Sequence, residues 1–362
     1  MIERIESFFT GSVHQFTSAL ANLAGRSSPA DCHPADDFVH ELTYRINESL
    51  TACAELEAEI RSDGVLLKSV QRRYREAIWP WLGQSWFMRR ALEKPRGYPG
   101  DYELLTAIYN GEVKSLGLGA ALDRYFLKTT LAQAVVARMQ AVRDFLEEEL
   151  NSRQGNVTVL NVASGACREY TLNFVPTNSR RIDVTCIDND LLALEFVRTN
   201  VAPQLPQHIQ LSFTRYNALR MVRAEQNVKR FGRPDVLYSV GLCDYIPDEY
   251  LIPMLRAWRE SVNDGGVVYV AFKDARRYET PEYQWLVDWF FFQRTEEDCR
   301  RLFAEAGYGD SALTTTRDTT GVILNYVARM TAAVDAHRRM DSAERLPTAP
   351  QLAPSTVRET AK

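Results

Sequence analysis

Apolar residues recur every three or four positions through much of residues 1–150, which is the period of an amphipathic α-helix. One such stripe runs from Phe38 to Ile60, with Asp36 placed to cap the start of the helix and Gly64 placed to stop it. A second stripe over 131–150 predicts another long helix. We therefore expect an all-helical N-terminal domain over residues 1–150.

One segment within this helical region has a different composition. Residues 94–102 contain two prolines and two glycines, which prevent a helix and fix a turn. The turn also carries Tyr98, Asp101 and Tyr102 close to Arg96. A rigid turn with two tyrosines and a pair of opposite charges predicts a lid over a bound ligand. A structural linker between domains is the alternative.

From about residue 155 the pattern changes to short β-branched runs separated by helical stretches. The runs cover residues 157–162, 182–187, 209–215, 236–240 and 267–272. Continuous apolar runs are typical of strands buried on both faces. Because strands alternate with helices, the pattern predicts a parallel sheet with helices on both sides.

The end of the chain departs from this alternation. Residues 311–317 and 322–328 are strand-like and are joined by a turn at 318–321, which predicts an antiparallel hairpin at the sheet edge. Proline, serine, threonine and charged residues dominate 338–362 and predict a disordered tail. The α/β domain is therefore expected over residues 151–332.

Composition restricts the class of protein. The chain has 362 residues, of which 45% are hydrophobic and 25% charged, enough for two globular domains. A net charge of -4 argues against a general nucleic-acid binder. We find neither a signal peptide nor the ~20 consecutive apolar residues of a membrane span. Six cysteines without a CxxC pair favour reduced thiols in the cytoplasm, and five histidines without HxH or HExxH spacing predict no metal site.

In an open α/β sheet, ligands bind beyond the carboxyl ends of the strands, so the residues at each strand end are the candidates. The first strand ends in the small-residue loop 161–167. Within it, Asn161, Ala163, Ser164 and Gly165 would let the backbone approach a ligand. With only one glycine, the dinucleotide pattern GxGxxG is absent. An ordinary tight turn is the alternative.

The second and third strands end in short polar side chains. Asp188, followed by Asn189, comes about twenty residues after the small-residue loop, which is the spacing at which a carboxylate binds ribose hydroxyls. Asp190 is assigned to the cap of the following helix, and a cap is also the alternative for Asp188. Asn217, followed by Ala218, could bind an adenine amino group or close an ordinary turn.

The fourth strand carries Ser239 and Gly241 near its end, where glycine permits close approach of the backbone. Asp244 and Tyr245 follow, at the place where a substrate would lie. We interpret Cys243 as a packed thiol and not a nucleophile, because no histidine is near it in sequence.

In their order and spacing, these features resemble the class I S-adenosylmethionine (SAM)-dependent methyltransferases over roughly residues 155–330. A turn of Asp264, Gly265 and Gly266 before the fifth strand belongs to the same pattern. The resemblance implies a Rossmann-like, seven-stranded sheet whose last strand is antiparallel, with S-adenosyl-L-methionine as the cofactor. The first loop departs from the ExGxGxG of glycine-rich members, because Asn161 replaces the acid and Ala163 the first glycine.

Two further motifs give a closer resemblance. Residues 96–102 and 239–245 are similar to a subfamily of bacterial methyltransferases that includes enzymes linked to making 3-hydroxypalmitic acid methyl ester. The resemblance implies methyl transfer to a small molecule, with the carboxylate of a 3-hydroxy fatty acid as the acceptor. One alternative is N- or O-methylation of a small polar metabolite, such as an amino acid, in natural-product biosynthesis. Another is a SAM-binding regulatory protein without catalysis. The missing GxGxxG disfavours an NAD-dependent enzyme.

Methyl transfer from SAM requires positioning and desolvation of the acceptor, and deprotonation only where the acceptor carries a proton. The candidate catalytic residues are Asp244, Tyr245, Tyr98, Asp101 and Tyr102. This set suits a cationic or hydroxylated acceptor, whereas a free carboxylate would prefer a positive partner. The candidates for that partner are Arg96, Arg168 and Lys273.

An aromatic run precedes the terminal hairpin and consists of Trp285, Trp289, Phe290, Phe291 and Phe292. It could line an apolar substrate pocket, seal a homodimer or belong to the core. We expect a small-molecule substrate, no nucleic-acid partner and no integral membrane segment, and we leave open whether the protein is a homodimer.

Overall fold

A computed structural model of the protein describes residues 1–171, 174 and 181–330. The predicted tail over 338–362 and the last two residues of the predicted α/β domain lie outside the described residues. None of the helices in the described ranges is long and apolar enough to cross a membrane.

Helices make up the N-terminal part of the chain, as the periodicity predicts. They are α1 (Ile2–Phe8), α2 (His14–Arg26), α3 (Asp36–Ile60), α4 (Gly64–Leu82), α5 (Trp86–Glu93), α6 (Tyr102–Asn110), α7 (Leu118–Lys128) and α8 (Thr130–Ser152), with a π-helical turn at Phe9–Val13 between the first two. The two long apolar stripes correspond to α3 and α8, which bury them.

Two predicted boundaries of α3 are wrong. Asp36 is the first residue of the helix and not its cap, and its carboxylate pairs with Arg124. Gly64 begins α4 and does not stop α3. The reason is Asp63, whose carboxylate accepts hydrogen bonds from the backbone amides of Val65 and Leu66 and so starts a new helix.

Seven strands of the described chain form one sheet. They are β1 (Val157–Val162), β2 (Ile182–Asp188), β3 (Ile209–Arg215), β4 (Val236–Val240), β5 (Val267–Lys273), β6 (Leu313–Arg317) and β7 (Ile323–Arg329), in the order β3-β2-β1-β4-β5-β7-β6. The first five strands pair in parallel, and β7 pairs antiparallel with both β5 and β6. This confirms the predicted Rossmann-like sheet with a terminal antiparallel hairpin behind a helical N-terminal region.

The remaining helices connect the strands. They are α9 (Leu191–Asn200), α10 (Ala224–Phe231), α11 (Asp248–Ser261), α12 (Pro281–Val287) and α13 (Glu296–Glu305). Asp190 caps α9 as predicted, because its Oδ1 accepts from the Leu192 amide at 2.9 Å. Chain connections leave β1 and β4 in opposite directions along the sheet, which opens a crevice between their carboxyl ends.

Burial agrees with a sheet covered on both faces. All seven residues of β5 are buried. One continuous apolar cluster joins the N-terminal helices to one face of the sheet and includes Phe8, Tyr74, Val159 and Trp285. The helical region therefore packs directly against the α/β part of the chain.

Candidate functional site

A cavity of about 270 Å³ lies at the carboxyl ends of the parallel strands. One side consists of residues that follow β1 to β5, and the other of residues from α6, α7, α8 and the segment 94–102. Tyr283, Trp289 and Phe291 complete the lining. The cavity thus lies at the switch point between β1 and β4, where ligands bind in open α/β sheets.

The loop after β1 brings the backbone close to this cavity. Ala163 and Gly165 both line it and have φ angles of 57° and 52°, in the left-handed region. Positive φ is uncommon for alanine, and strained backbone of this kind is concentrated at ligand sites. Among the described residues, no hydrogen-bond partner reaches the buried hydroxyl of Ser164, which lies between them.

The carboxylate of Asp188 lines the cavity and is held by two backbone amides. The amide of Gly165 donates to Oδ2 at 2.9 Å, and the amide of Asp190 donates to Oδ1 at 2.9 Å. The side chain is 8% exposed, and burial raises the pKa of its carboxyl group although the two amides oppose that rise. Both oxygens keep lone pairs for hydroxyl donors. Asn189 also lines the cavity.

The turn after β3 forms the adjoining part of the lining. Strand register places Asp188 beside Arg215, so Asn217 lies close to the end of β2. Asn217 and Ala218 both line the cavity. The Asn217 Oδ1 accepts from the Leu219 amide at 3.0 Å, which closes a short turn and leaves the side-chain NH2 group as a donor.

The end of β4 approaches an arginine from the helical region. Gly241 lines the cavity with a φ of 90°, and a Cβ at this position would lie 3.0 Å from Nη1 of Arg138. Ser239 is fully buried outside the lining, where its hydroxyl donates to the Val162 carbonyl at 2.9 Å and joins β4 to β1.

Asp244 lies behind the cavity wall and Tyr245 lines it. The Asp244 carboxylate accepts from Lys273 Nζ at 2.6 Å, and both side chains are almost fully buried. Lys273 itself lines the cavity. Burial lowers the pKa of Lys273, although Asp244 opposes this. The Tyr245 hydroxyl accepts from the Trp289 indole at 2.7 Å, so it is fixed in place.

Four residues of the predicted lid line the cavity, and one of them is Gly100. Tyr98, Pro99 and Tyr102 contribute side chains there, while Asp101 is 1% exposed and lies outside the lining. The Asp101 carboxylate pairs with Arg90 and caps α6. This geometry gives Asp101 a structural part, and its predicted catalytic role stays a prediction.

The aromatic run divides among different surroundings. Trp289 and Phe291 line the cavity, whereas Trp285 is fully buried against Phe8 and Tyr74. The remaining two, Phe290 and Phe292, are 38% and 45% exposed. The run thus contributes to the pocket and to the core.

The three residues predicted as cationic partners of an acceptor carboxylate also have different surroundings. Arg96 pairs with Glu103, and Arg168 donates to the Asn110 side chain. Of the three, Lys273 is the one that lines the large cavity.

Two charged residues near the cavity were missed by reading strand ends. Arg138 lies on the buried stripe of α8, between Val135 and Met139, where a charged residue is itself a signal. Glu169 follows the β1 loop and is 8% exposed. It lies in a short 3₁₀ turn after β1 that the β-branched pattern did not predict.

No protein-family model matches this chain, and no curated protein matches it in sequence. Among solved structures, it is similar to a possible exported protein from Bordetella parapertussis, with 18% identity, 91% of this chain and 97% of that chain covered, and a TM-score of 0.53. A second is the CurJ carbon methyltransferase, at 12% identity over 91% of this chain and 92% of that one, with a TM-score of 0.47. A third is magnesium protoporphyrin IX methyltransferase from Synechocystis PCC 6803 with bound SAM, at 11% identity over 56% and 84%, with a TM-score of 0.40.

At 18% identity, the first of these similarities shows the fold alone, and the other two, with TM-scores below 0.5, carry no argument. The described chain has the Rossmann-like, seven-stranded sheet with an antiparallel last strand that the sequence resemblance implied.

Proposed function

We propose that the protein is a SAM-dependent methyltransferase that acts on a small-molecule acceptor. The observation that carries the proposal is the Asp188 carboxylate, fixed by two backbone amides at the end of β2 and facing a cavity at the switch point of the sheet. A carboxylate in this position suits the two hydroxyls of a ribose. The cytoplasmic location stays a prediction.

The residues around the cavity fit a sulfonium nucleoside. Asp188 would accept from the ribose hydroxyls, and Asn217 with Ala218 would lie against adenine. Ala163, Gly165 and Gly241 would bring backbone close to the donor. The buried hydroxyl of Ser164 in the β1 loop has no hydrogen-bond partner among the described residues and is available to bond the donor. When bound, SAM supplies an activated methyl group on sulfur.

The acceptor side of the cavity favours an apolar molecule with an anionic group. Its lining is apolar and aromatic and includes Phe126, Leu131, Val135, Tyr283, Trp289 and Phe291. The Lys273 ammonium lies 4.0 Å from the Phe291 ring centroid. The ammonium of Lys273 already occupies this aromatic face, which leaves no place there for a second cation. Asp244 takes one of its three N–H donors, so the others can donate to an acceptor's carboxylate.

Proton chemistry supports the same choice. Asp188 is the one carboxylate of the described lining, and it is assigned to the nucleoside. Burial raises the pKa of Tyr245, so its phenol is a poor acid and is not available as a phenolate base. A carboxylate acceptor needs no base. We therefore propose the carboxylate of an apolar acid, such as a 3-hydroxy fatty acid, as the methyl acceptor.

The segment 94–102 is proposed as the lid over the donor. Its support is that Tyr98, Pro99 and Gly100 line the cavity while the chain around them connects two helices. Burial raises the pKa of the Tyr98 phenol, and the negative charge of Asp188 raises it further.

The test is transfer of labelled methyl from SAM to a panel of acceptors. The panel contains 3-hydroxypalmitate, palmitate, hexadecylamine and free amino acids. We expect label in the fatty acids, released as methanol by mild base because the product is an ester. Label in the amine or amino acids would instead support N-methylation. Tight SAM binding without transfer to any fraction of a cell extract would indicate a regulatory protein, and failure to bind SAM would refute the whole proposal.

A further inference from the structure

A second cavity, of about 50 Å³, is lined largely by the β1 loop and the residues that follow it. Both cavities are lined by Arg138, Ala163, Gly165 and Val240, so they adjoin across these residues. The smaller one also reaches Glu169. A ligand in the large cavity could therefore extend a short polar group into the small one.

Arg138 is a buried cation without an anionic partner in the described chain. The side chain is 4% exposed, and none of the ion pairs of the described residues includes it. Its Nε lacks any hydrogen-bond partner among those residues. A buried guanidinium is costly unless an anion meets it, which indicates that a ligand supplies the anion.

Glu169 is a buried carboxylate held in a defined direction. Its Oε1 accepts from Asn161 Nδ2 at 3.0 Å and from the Tyr238 hydroxyl at 2.7 Å. Both of these bonds go to one oxygen, so the side-chain partners do not occupy Oε2. Burial raises the pKa of Glu169, whereas both partners and the nearby Arg138 oppose that rise.

The position of Asn161 connects these two observations. It lies at the end of β1, where glycine-rich members of the resembling family carry an acid, and it contacts Glu169 directly. Glu169, eight residues after Asn161, thus supplies a carboxylate next to the position where those family members carry their acid. The hydrogen bond from Asn161 orients this carboxylate.

We propose that Arg138 and Glu169 form the subsite for the amino-acid end of the methyl donor, with Arg138 binding its α-carboxylate and Glu169 its α-ammonium. A zwitterion presents one charge of each sign, and the small cavity offers the complement of each. The inference rests on the proposed function, which assigns the nucleoside part of SAM, because it assigns the amino-acid part of the same molecule. It also explains why the buried arginine and the buried glutamate do not pair with each other.

Two ligands separate this subsite from the nucleoside site. S-adenosylhomocysteine carries the amino-acid end, while 5′-deoxy-5′-methylthioadenosine lacks it and keeps the sugar and base. Isothermal titration of the unmodified protein should give a dissociation constant about tenfold or more lower for S-adenosylhomocysteine, since charge-assisted bonds are lost with the truncated ligand. Decarboxylated S-adenosylmethionine keeps the ammonium that Glu169 would bind and lacks only the carboxylate, so it should bind more weakly than S-adenosylmethionine by the contribution of Arg138 alone.

Variants then assign the charges to residues. Arg138→Met and Glu169→Gln should each weaken S-adenosylhomocysteine about tenfold or more while leaving methylthioadenosine unchanged. Arg143→Met and Glu147→Gln, on the same helix as Arg138 and outside both cavities, are the matched controls and should change neither. Retained binding of methylthioadenosine also shows that a variant is folded.

The outcomes distinguish the subsite from the function itself. If the unmodified protein binds neither ligand, the proposed function fails. If it binds both with equal affinity, or if Arg138→Met weakens both equally, the subsite is wrong while the function stands. If Arg138→Met spares both ligands but raises the KM of a fatty-acid acceptor, Arg138 binds the acceptor's carboxylate and the assignment is overturned.

Discussion

At the scale of single residues, the nucleoside half of the proposed site depends on Asp188. Its carboxylate is fastened by the amides of Gly165 and Asp190 and buried to the point that its pKa is raised. The protein therefore holds a charge in a place where folding alone disfavours it. Such an arrangement is expected where a ligand supplies the compensating donors.

We expect Asp188→Asn to weaken methylthioadenosine about tenfold or more, because an amide cannot accept from both ribose hydroxyls and both backbone amides. The affinity of the parent should fall as the pH is lowered through the raised pKa of Asp188, since protonation removes an acceptor. The variant should lack that dependence. Asp183→Asn, on the exposed part of the same strand, is the control. A pH profile shared by parent and Asp188→Asn would contradict the assignment. Titration calorimetry with methylthioadenosine at several pH values measures the affinity and its pH dependence.

The raised pKa of Glu169 predicts how the stability of the folded protein depends on pH. Its pKa is raised, so the ionised form is disfavoured in the folded state and stability falls as pH rises from the ordinary glutamate pKa through the raised one. Glu169→Gln keeps an acceptor oxygen for Asn161 and Tyr238 and removes the charge. We expect the ligand-free variant to melt at a higher temperature than the parent at pH 8, with the difference shrinking as the pH is lowered. Differential scanning calorimetry at several pH values is the measurement, and a variant less stable at pH 8 would contradict it.

Gly241 is a position where conformation and contact act together. Alanine there would combine a φ of 90° with a Cβ 3.0 Å from the Arg138 guanidinium. At Gly321 the φ is 74° and a Cβ would meet nothing within 4 Å. We expect both alanine variants to lose stability, by about 1 kcal/mol or more from backbone strain. Only Gly241→Ala should also weaken S-adenosylhomocysteine, and equal affinities in the two variants would contradict the contact.

Residues at strand ends could be predicted from sequence because the parallel sheet fixes where each strand ends. Ala163, Gly165, Asp188, Asn217 and Gly241 all line one cavity for that reason. Arg138 and Glu169 could not be found in this way. Arg138 belongs to a helix whose packing against the sheet depends on tertiary contacts, and Glu169 lies in a short 3₁₀ turn that has no periodic pattern.

At the scale of elements, the segment 94–102 is coupled to the chain that follows α12. Lys94 Nζ donates to the Asp288 carbonyl at 2.9 Å and lies 3.2 Å from its carboxylate. At the other end of the segment, a Cβ on Gly100 would lie 2.7 Å from the Trp289 ring. Trp289 in turn donates to Tyr245, so the segment, the aromatic residues and the end of β4 form a connected wall.

This contact gives a test of the lid with an internal control. Gly100→Ala would push the segment away from Trp289, whereas Gly97→Ala has similar backbone strain at a φ of 84° and no atom within 4 Å of the new Cβ. We expect both variants to lose melting temperature from the strain of the positive φ, with a further loss in Gly100→Ala from the contact with Trp289, and a larger rise in the KM for SAM in Gly100→Ala. If the two variants had the same kinetics, the segment would be a linker and not a lid. Steady-state kinetics and thermal melts check it.

The boundaries of elements show where sequence patterns are decisive and where they are not. The β-branched runs of the central strands are typical of burial on both faces, and β5 is buried along its whole length. The run of β3 predicts a strand as well, although β3 lies at the sheet edge and only one of its seven residues is buried. The start of α4 was missed because Gly64 is a common stop residue, while the adjacent Asp63 satisfies two amides and so begins a helix. Local hydrogen bonds of this kind outweigh propensity.

At the scale of the whole molecule, residues before α5 do not line the large cavity, but they hold one of its walls. Trp285 of α12 donates to Glu57 at 2.6 Å and packs against Phe8 and Tyr74. Arg75 donates to the Gln284 carbonyl at 2.7 Å. Through α12, the first helices therefore fix the segment that carries Trp289 and Phe291.

This arrangement predicts that the two regions unfold together. The apolar cluster is continuous from the N-terminal helices to the sheet, and the large cavity has walls from both, so neither region keeps its core or its ligand without the other. We expect a single calorimetric transition, with equal van't Hoff and calorimetric enthalpies, that shifts as a whole when S-adenosylhomocysteine is added. At about 100 times its dissociation constant, the ligand should contribute ~2.7 kcal/mol to the whole transition. Two transitions, of which only the one from the α/β region responds to ligand, would instead mean that the helical region is an independent domain and that its contacts with α12 contribute little to the site.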